Sequence, residues 1–102
     1  MTPRDDLVFA AIADPTRREI LRLLGAEPSD VAGLAARFPI SRPAVSKHLA
    51  ALLRAGLVAR RGAGRSNIYE ARPDLLAPVR TWLEQFWDGR LAILKRVAEG
   101  DS

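Results

Sequence analysis

The chain has 102 residues, no cysteine, one histidine and 48% hydrophobic residues. That is enough for one domain with a single core, and it excludes disulfides, thiolate metal sites and a cysteine nucleophile. The net charge of +4 is unevenly spread: Val31 to Tyr69 holds seven cations (Arg37, Arg42, Lys47, Arg54, Arg60, Arg61, Arg65) and no acid, whereas the remainder carries nine cations against twelve anions. A segment so cleared of carboxylates suits a polyanion. No apolar run approaches the ~20 residues of a membrane span and no signal-peptide core opens the chain, so a cytoplasmic protein without membrane contact is expected.

In chain order, Thr2 and Pro3 form a cap and first-turn pair ahead of DDLVFAAIA. Asp5 and Asp6 then lie where the helix dipole favours anions, and Leu7, Val8, Phe9 and Ile12 make this first helix too apolar to stand free in water. Asp14-Pro15 repeats the start signal. It predicts a second helix from Pro15 to about Leu24, with Ile20, Leu21 and Leu24 inward, Arg18, Glu19 and Arg22 outward, and Gly25 as its stop. After a loop at Ala26 to Asp30, Val31 to Phe38 reads as a short helix on Leu34, Ala35 and Phe38, with Ala36 and Arg37 outward. Pro39-Ile40 breaks it.

The next helix organises the rest. Ser41 is a good N-cap, Pro43 sits in the first turn, Val45, Leu49 and Leu52 form an apolar stripe, and Gly56 permits a left-handed exit after Ala55. Opposite the stripe lie Pro43, Lys47, Ala50 and Arg54, with Arg42 and Ser46 beside them and Ser41 at the start. A surface with short side chains and no acid lets backbone approach base edges while Arg, Lys and Ser supply hydrogen bonds. An ordinary solvated face with two cations is the competing reading of this helix alone. A short helix, a tight turn and a second, capped helix make a helix-turn-helix, whose second member reads the major groove.

Beyond Gly56 the period falls to two. LVARR and NIYEA predict strands joined by Gly62 to Ser66, a basic hairpin, unless the arginines simply guard a solvated strand edge. Pro73-Asp74 ends it, and Leu75 to Glu99 reads as one long helix, irregular near Pro78. Its stripe includes Val79, Trp82, Leu83, Phe86, Trp87, Ile93 and Leu94, wider than a chain of this size can bury by itself. A partner is implied, the alternative being that the helix folds back as core.

Two motifs, FAAIADPTRREILRLL and SRPAVSKHLAALLRAGLV, resemble the ArsR family of bacterial winged-helix repressors, and the resemblance covers nearly the whole chain. It implies a mainly α fold with a small β-hairpin: a winged helix-turn-helix of about five helices and a two-stranded wing, in one domain over residues 1–102. It implies a homodimer through the first and last helices, which places Leu7 and Phe9 opposite Val79, Trp82, Leu83, Phe86, Trp87, Ile93 and Leu94 as candidate interface residues. Double-stranded DNA would meet Ser41, Arg42, Pro43, Ser46, Lys47 and Arg54 of the recognition helix. By resemblance, His48 holds a backbone phosphate, while Arg60, Arg61 and Arg65 of the wing lie along the backbone or reach a minor groove. The family's metal sensors use cysteines before the turn, or paired His and carboxylates on the last helix. With no Cys and a single His those sites cannot be built, so neither metal nor other cofactor is expected, and FWDGRLAIL, which resembles the last helix of members without known metal sites, names no effector. GxSxG, P-loop, HExxH and GxGxxG motifs are absent, which argues against an enzyme. The expected function is a metal-independent repressor on an inverted-repeat operator; the alternative is a protein-docking module that uses the aromatic last helix.

Overall fold

The computed structural model describes residues 1–62 and 67–100, and the side chains of these except 87–95. Among the described residues, five α-helices, one 3-10 helix and one hairpin follow in the order α1 (Pro3–Ile12), α2 (Pro15–Ala26), α3 (Val31–Ala35), α4 (Arg42–Arg54), β1 (Val58–Arg61), β2 (Ile68–Ala71), the 3-10 helix (Pro73–Leu76) and α5 (Ala77–Ala98). The mainly helical fold with a small hairpin is as the sequence implies.

Helix starts are set by short polar side chains. Thr2 Oγ1 accepts from the Asp5 amide while Asp5 Oδ2 accepts from the Thr2 amide, both at 3.1 Å, a reciprocal capping box. Asp14 Oδ1 accepts from the Arg17 amide at 3.0 Å and Ser41 Oγ from Ala44 at 3.3 Å. Asp30 does the same for α3, through Gly33 at 2.7 Å.

The stops are less well foreseen. α2 runs through Gly25 to Ala26 and ends at an extended Glu27 (φ −160°, ψ 131°). Pro28 causes this, because a proline drives the residue before it out of the helical region; Gly25 does not. α3 closes early: Arg37 donates to Leu34 and Phe38 to Ala35, at 3.0 and 3.3 Å, so the predicted last turn is tightened into three-residue turns ahead of Pro39. At the end of α4 the Gly56 amide bonds the Leu53 carbonyl and the Leu57 amide bonds Leu52, both at 3.0 Å, with Gly56 at φ 78°. That is a Schellman exit, and only glycine adopts it without penalty. The predicted 75–99 helix is divided, a 3-10 turn preceding α5, with Pro78 second in α5 where its missing donor costs nothing.

β1 and β2 pair antiparallel with Val58 opposite Ala71 and Arg61 opposite Ile68. A one-residue bridge adds to them: Ser29 donates to Tyr69 at 3.0 Å and Tyr69 returns the bond at 2.8 Å. The loop at Ala26 to Asp30 is thereby stitched to the far edge of β2. A single bridge has no periodicity, so the sequence gives it no signal.

Val8, Ala11, Ile20, Leu24, Leu34, Val45, Leu49, Leu52, Ala55, Leu57, Val58 and Tyr69 form the buried core, to which α4 contributes Val45, Leu49 and Leu52 at no more than 1% exposure. Burying each such side chain is worth roughly 1.5–3 kcal/mol. The molecule measures 63 × 29 × 21 Å with a radius of gyration of 17.7 Å, against ~13 Å for a compact domain of about this length. The 22-residue α5, ~33 Å long at 1.5 Å per residue, accounts for the elongation. No helix among the described residues is long and apolar enough to cross a membrane.

Candidate nucleic-acid interface

With the stripe of α4 committed to the core, its other face is fixed toward solvent. Ser41, Arg42, Pro43, Ser46, Lys47 and Arg54 are all exposed, as the sequence predicts, and Ala50 is half-buried. His48 is half-buried and faces the start of α2. Its charge helps hold the Asp14 carboxyl below the usual carboxylate range, second to the Arg17 amide hydrogen bond, which lowers it most.

Arg42, Pro43 and Ser46 share a recess of about 410 Å³ with Asp30, Val31 and Ala32 of the α3 start and with Asn67 and Tyr69 of the hairpin. The positive end of the α4 dipole opens beside it, a setting that favours anions. Asp30 is a carboxylate in this recess, but one already occupied by the Gly33 amide. Asn67 is neutral and so carries no charge signal in the sequence; its place at the foot of β2, one residue before the strand, is the signal it does leave.

The hairpin separates the two wing arginines. Successive strand residues point to opposite faces, and the register puts Arg60 across from the buried Tyr69 and Arg61 across from Ile68. Arg60 therefore shares the face that turns toward α4. Arg61 lies on the other side, paired with Glu70 at 3.5 Å, so part of its charge is spent within the hairpin. Arg65 lies outside the described residues.

A family model described as "Bacterial regulatory protein, arsR family" matches residues 14–60, from the cap of α2 to β1. The HTH-type transcriptional regulator Rv2034 of Mycobacterium tuberculosis is 43% identical over 98 residues, covering 94% of this chain and 92% of that protein. The chain belongs to the ArsR family. It is also 35% identical to the transcriptional repressor SdpR of Bacillus subtilis over 79 residues, 78% of this chain and 88% of the other. Among solved structures, the homodimeric winged helix-turn-helix DNA-binding domain Mb0332 of Mycobacterium bovis superposes with a TM-score of 0.66 at 27% identity, over 83% of this chain and 79% of that one. The ArsR chain is thus a winged helix-turn-helix transcriptional regulator and not an enzyme.

Away from the recess, α1 and α5 carry a second surface. Leu7, Trp82, Leu83 and Phe86 are 38–57% exposed. Phe9 meets Trp82 edge-on at 5.7 Å and Trp82 meets Phe86 at 4.8 Å, an aromatic row that ties α5 to α1. Phe9 and Val79 are half-buried, Val79 against the chain's own core. Of the rest, Trp87, Ile93 and Leu94 have side chains outside the described residues. Nowhere among the described residues do three His, Cys, Asp or Glu side chains gather.

The arginines of the DPTRR stretch bond the backbone of the preceding helix. Arg18, exposed on the outward face as predicted, also donates through Nη1 to the Ile12 carbonyl at 2.7 Å, while Arg17 donates through Nε to Ala11 at 2.6 Å and through Nη2 to Ala10 at 3.0 Å. Both arginines of the DPTRR stretch reach back to close the end of α1.

Proposed function

We propose that this ArsR regulator is a homodimeric repressor of the bacterial cytoplasm that grips an inverted-repeat operator and works without bound metal. What supports the reading is the exposed, acid-free start of α4, where Arg42 and Ser46 border the recess, Lys47 is exposed on the same helix and Arg60 shares the wing face turned toward them. Arg42, Ser46 and Lys47 reach base edges and phosphate; Arg54, Arg60 and Asn67 hold the backbone on either side, and Ser41 and Pro43 keep the helix end slim. His48 and Arg61, partly engaged with neighbours, serve at the margins. Dimerisation is supported by the apolar α1–α5 surface and by the homodimeric neighbour, and repression by the relative that bears that name. A two-fold dimer presents two α4 helices, so half-sites about one helical turn apart, ~34–36 Å, are expected. Metal independence rests on the residues available: no cysteine and one histidine in the chain, where zinc takes ~4 ligands.

The test is affinity against salt on a duplex selected from random sequence and on its scrambled form. Wild type should prefer the selected duplex, with a log-affinity that falls steeply with log salt. Arg42→Ala should cost about 1–3 kcal/mol on the selected duplex and relax one base position. Equal binding to both duplexes with a salt slope near zero would remove the operator reading and leave the protein-docking module. One equivalent of zinc should change nothing; release of DNA by zinc would overturn metal independence.

A further inference from the structure

α1 belongs to the apolar surface and α2 to the part that holds the recognition helix, with only Ala13 and Asp14 between them. Such a two-residue joint allows a few characteristic angles, and side chains select among them. α1 has no basic residue in its own last turn; its carbonyl end is closed by α2 instead, through the three bonds from Arg17 and Arg18. Charge-assisted donors at the negative end of a helix dipole are the stronger kind of hydrogen bond. Arg17 is also the residue whose amide is capped by Asp14, so one residue locks the end of one helix and the start of the next. At the other end of α1, Arg4 lies over the exit of α4: a Cβ on Gly56 would stand 2.6 Å from Arg4 Nη2. Between these points Val8 and Ala11 are buried.

We propose that Arg17, assisted by Arg18, is the positioning residue that fixes the angle between the dimer helix and the recognition helix, and so sets the half-site spacing this regulator accepts. The proposal rests on the dimer-and-operator reading above. Its leverage is geometric. Across the 21 Å short dimension of the molecule, a swing of roughly 10° at the α1–α2 joint displaces a recognition helix by ~4 Å, close to the ~3.4 Å step between neighbouring base pairs. The guanidinium is needed for its fork, which reaches two successive carbonyls at once; a lysine keeps the charge but is a single point donor on a flexible stem.

The experiment uses the selected inverted repeat, versions with the spacer changed by one and two base pairs in each direction, and a single half-site. Wild type, Arg17→Lys and Arg18→Lys are compared by affinity, with sedimentation and circular dichroism on the same samples. Wild type should favour the selected spacer over its neighbours by tenfold or more. Arg17→Lys should bind the single half-site within twofold of wild type and sediment identically, yet discriminate among spacers by no more than about twofold; Arg18→Lys, which alters one bond of the three, should fall between. Retention of the wild-type spacer profile by Arg17→Lys overturns the proposal, and so does a uniform loss on every duplex including the half-site, since that marks a purely structural role. If Arg17→Lys does not fold, an unchanged profile in Arg18→Lys overturns it instead. A wild type indifferent to spacing would fail on its own curve, taking the inverted-repeat reading down first.

Discussion

α4 and α5 are both helices with apolar stripes, and they meet opposite fates. The 13-residue α4 finds its partners inside the chain, and Val45, Leu49 and Leu52 are at most 1% exposed. In the 22-residue α5, Trp82, Leu83 and Phe86 stay 38–57% exposed although they repeat with the same helical spacing. Periodicity therefore says that a face must be covered, not by whom. Length and position decide that: α4 is crossed by α1, α2, α3 and the hairpin, while α5 leans on α1 and the 3-10 helix and runs on beyond them. The outer face of α4 is consequently backed by a buried one, whereas the apolar face of α5 is left exposed.

Core substitution should break the comparison hardest. Leu49→Ala removes a side chain that is 1% exposed and should cost about 2–5 kcal/mol of folding stability, read as a lowered denaturant midpoint. Phe86→Glu, at a position 57% exposed, should leave the folding of one chain within about 0.5 kcal/mol but weaken self-association by at least ~10-fold, as loss of an aromatic anchor does. Equilibrium sedimentation separates the two: a Leu49-like loss of stability from Phe86→Glu, with an unchanged association constant, would mean that α5 serves its own chain as α4 does.

What the sequence disclosed follows the same division. Signals confined to one helix were legible, because Ser41, Pro43, the Val45–Leu49–Leu52 stripe and Gly56 each act on their immediate neighbours. Features made by residues far apart, or by side chains bonding backbone, were silent. Ser29 pairs with Tyr69, forty residues away; Arg17 and Arg18 turn back onto carbonyls without leaving any repeat. Asn67 is neutral, so the charge pattern does not mark it. Gly25 misled for a related reason: glycine marks many helix ends, yet here the extended Glu27 before Pro28 makes the stop.

Where α1 crosses the exit of α4, the two regions touch, and a small substitution sharpens the contrast. Gly56 has φ 78°, and an added Cβ would come within 2.6 Å of Arg4 Nη2 and 2.9 Å of Leu75 Cδ1. Gly56→Ala should therefore cost about 1–2 kcal/mol from the left-handed backbone, with a further loss where Leu75 cannot move aside. Gly25→Ala is the control, for nothing lies within 4 Å of a Cβ there and the site is helical. It should be stabilising by about 0.4–1 kcal/mol, and a loss of stability at both glycines would contradict the assignment of Gly56 alone as the exit.

Smallest of the expected effects is the pH dependence of the α1–α2 joint. The Asp14 carboxyl is held below its ordinary value, first by the Arg17 amide and then by the charge of His48, with desolvation opposing. A carboxylate whose folded value is depressed adds stability that is fully present above its unfolded value, ~3.9, and that disappears as pH falls through the lower folded one. Glu19, lowered by its hydrogen bonds from Arg22, contributes in the same direction. Asp14→Asn keeps an N-cap acceptor but cannot titrate, so it removes one of these two contributions and leaves the other. Thermal midpoints measured between pH 6 and pH 3 should accordingly fall more steeply in wild type than in Asp14→Asn, with the curves diverging only below about pH 4.5. The difference should be slight, because the group is near solvent and its charge interactions are screened. Superimposable curves would show that Asp14 acts through its shape as an acceptor and not through its charge.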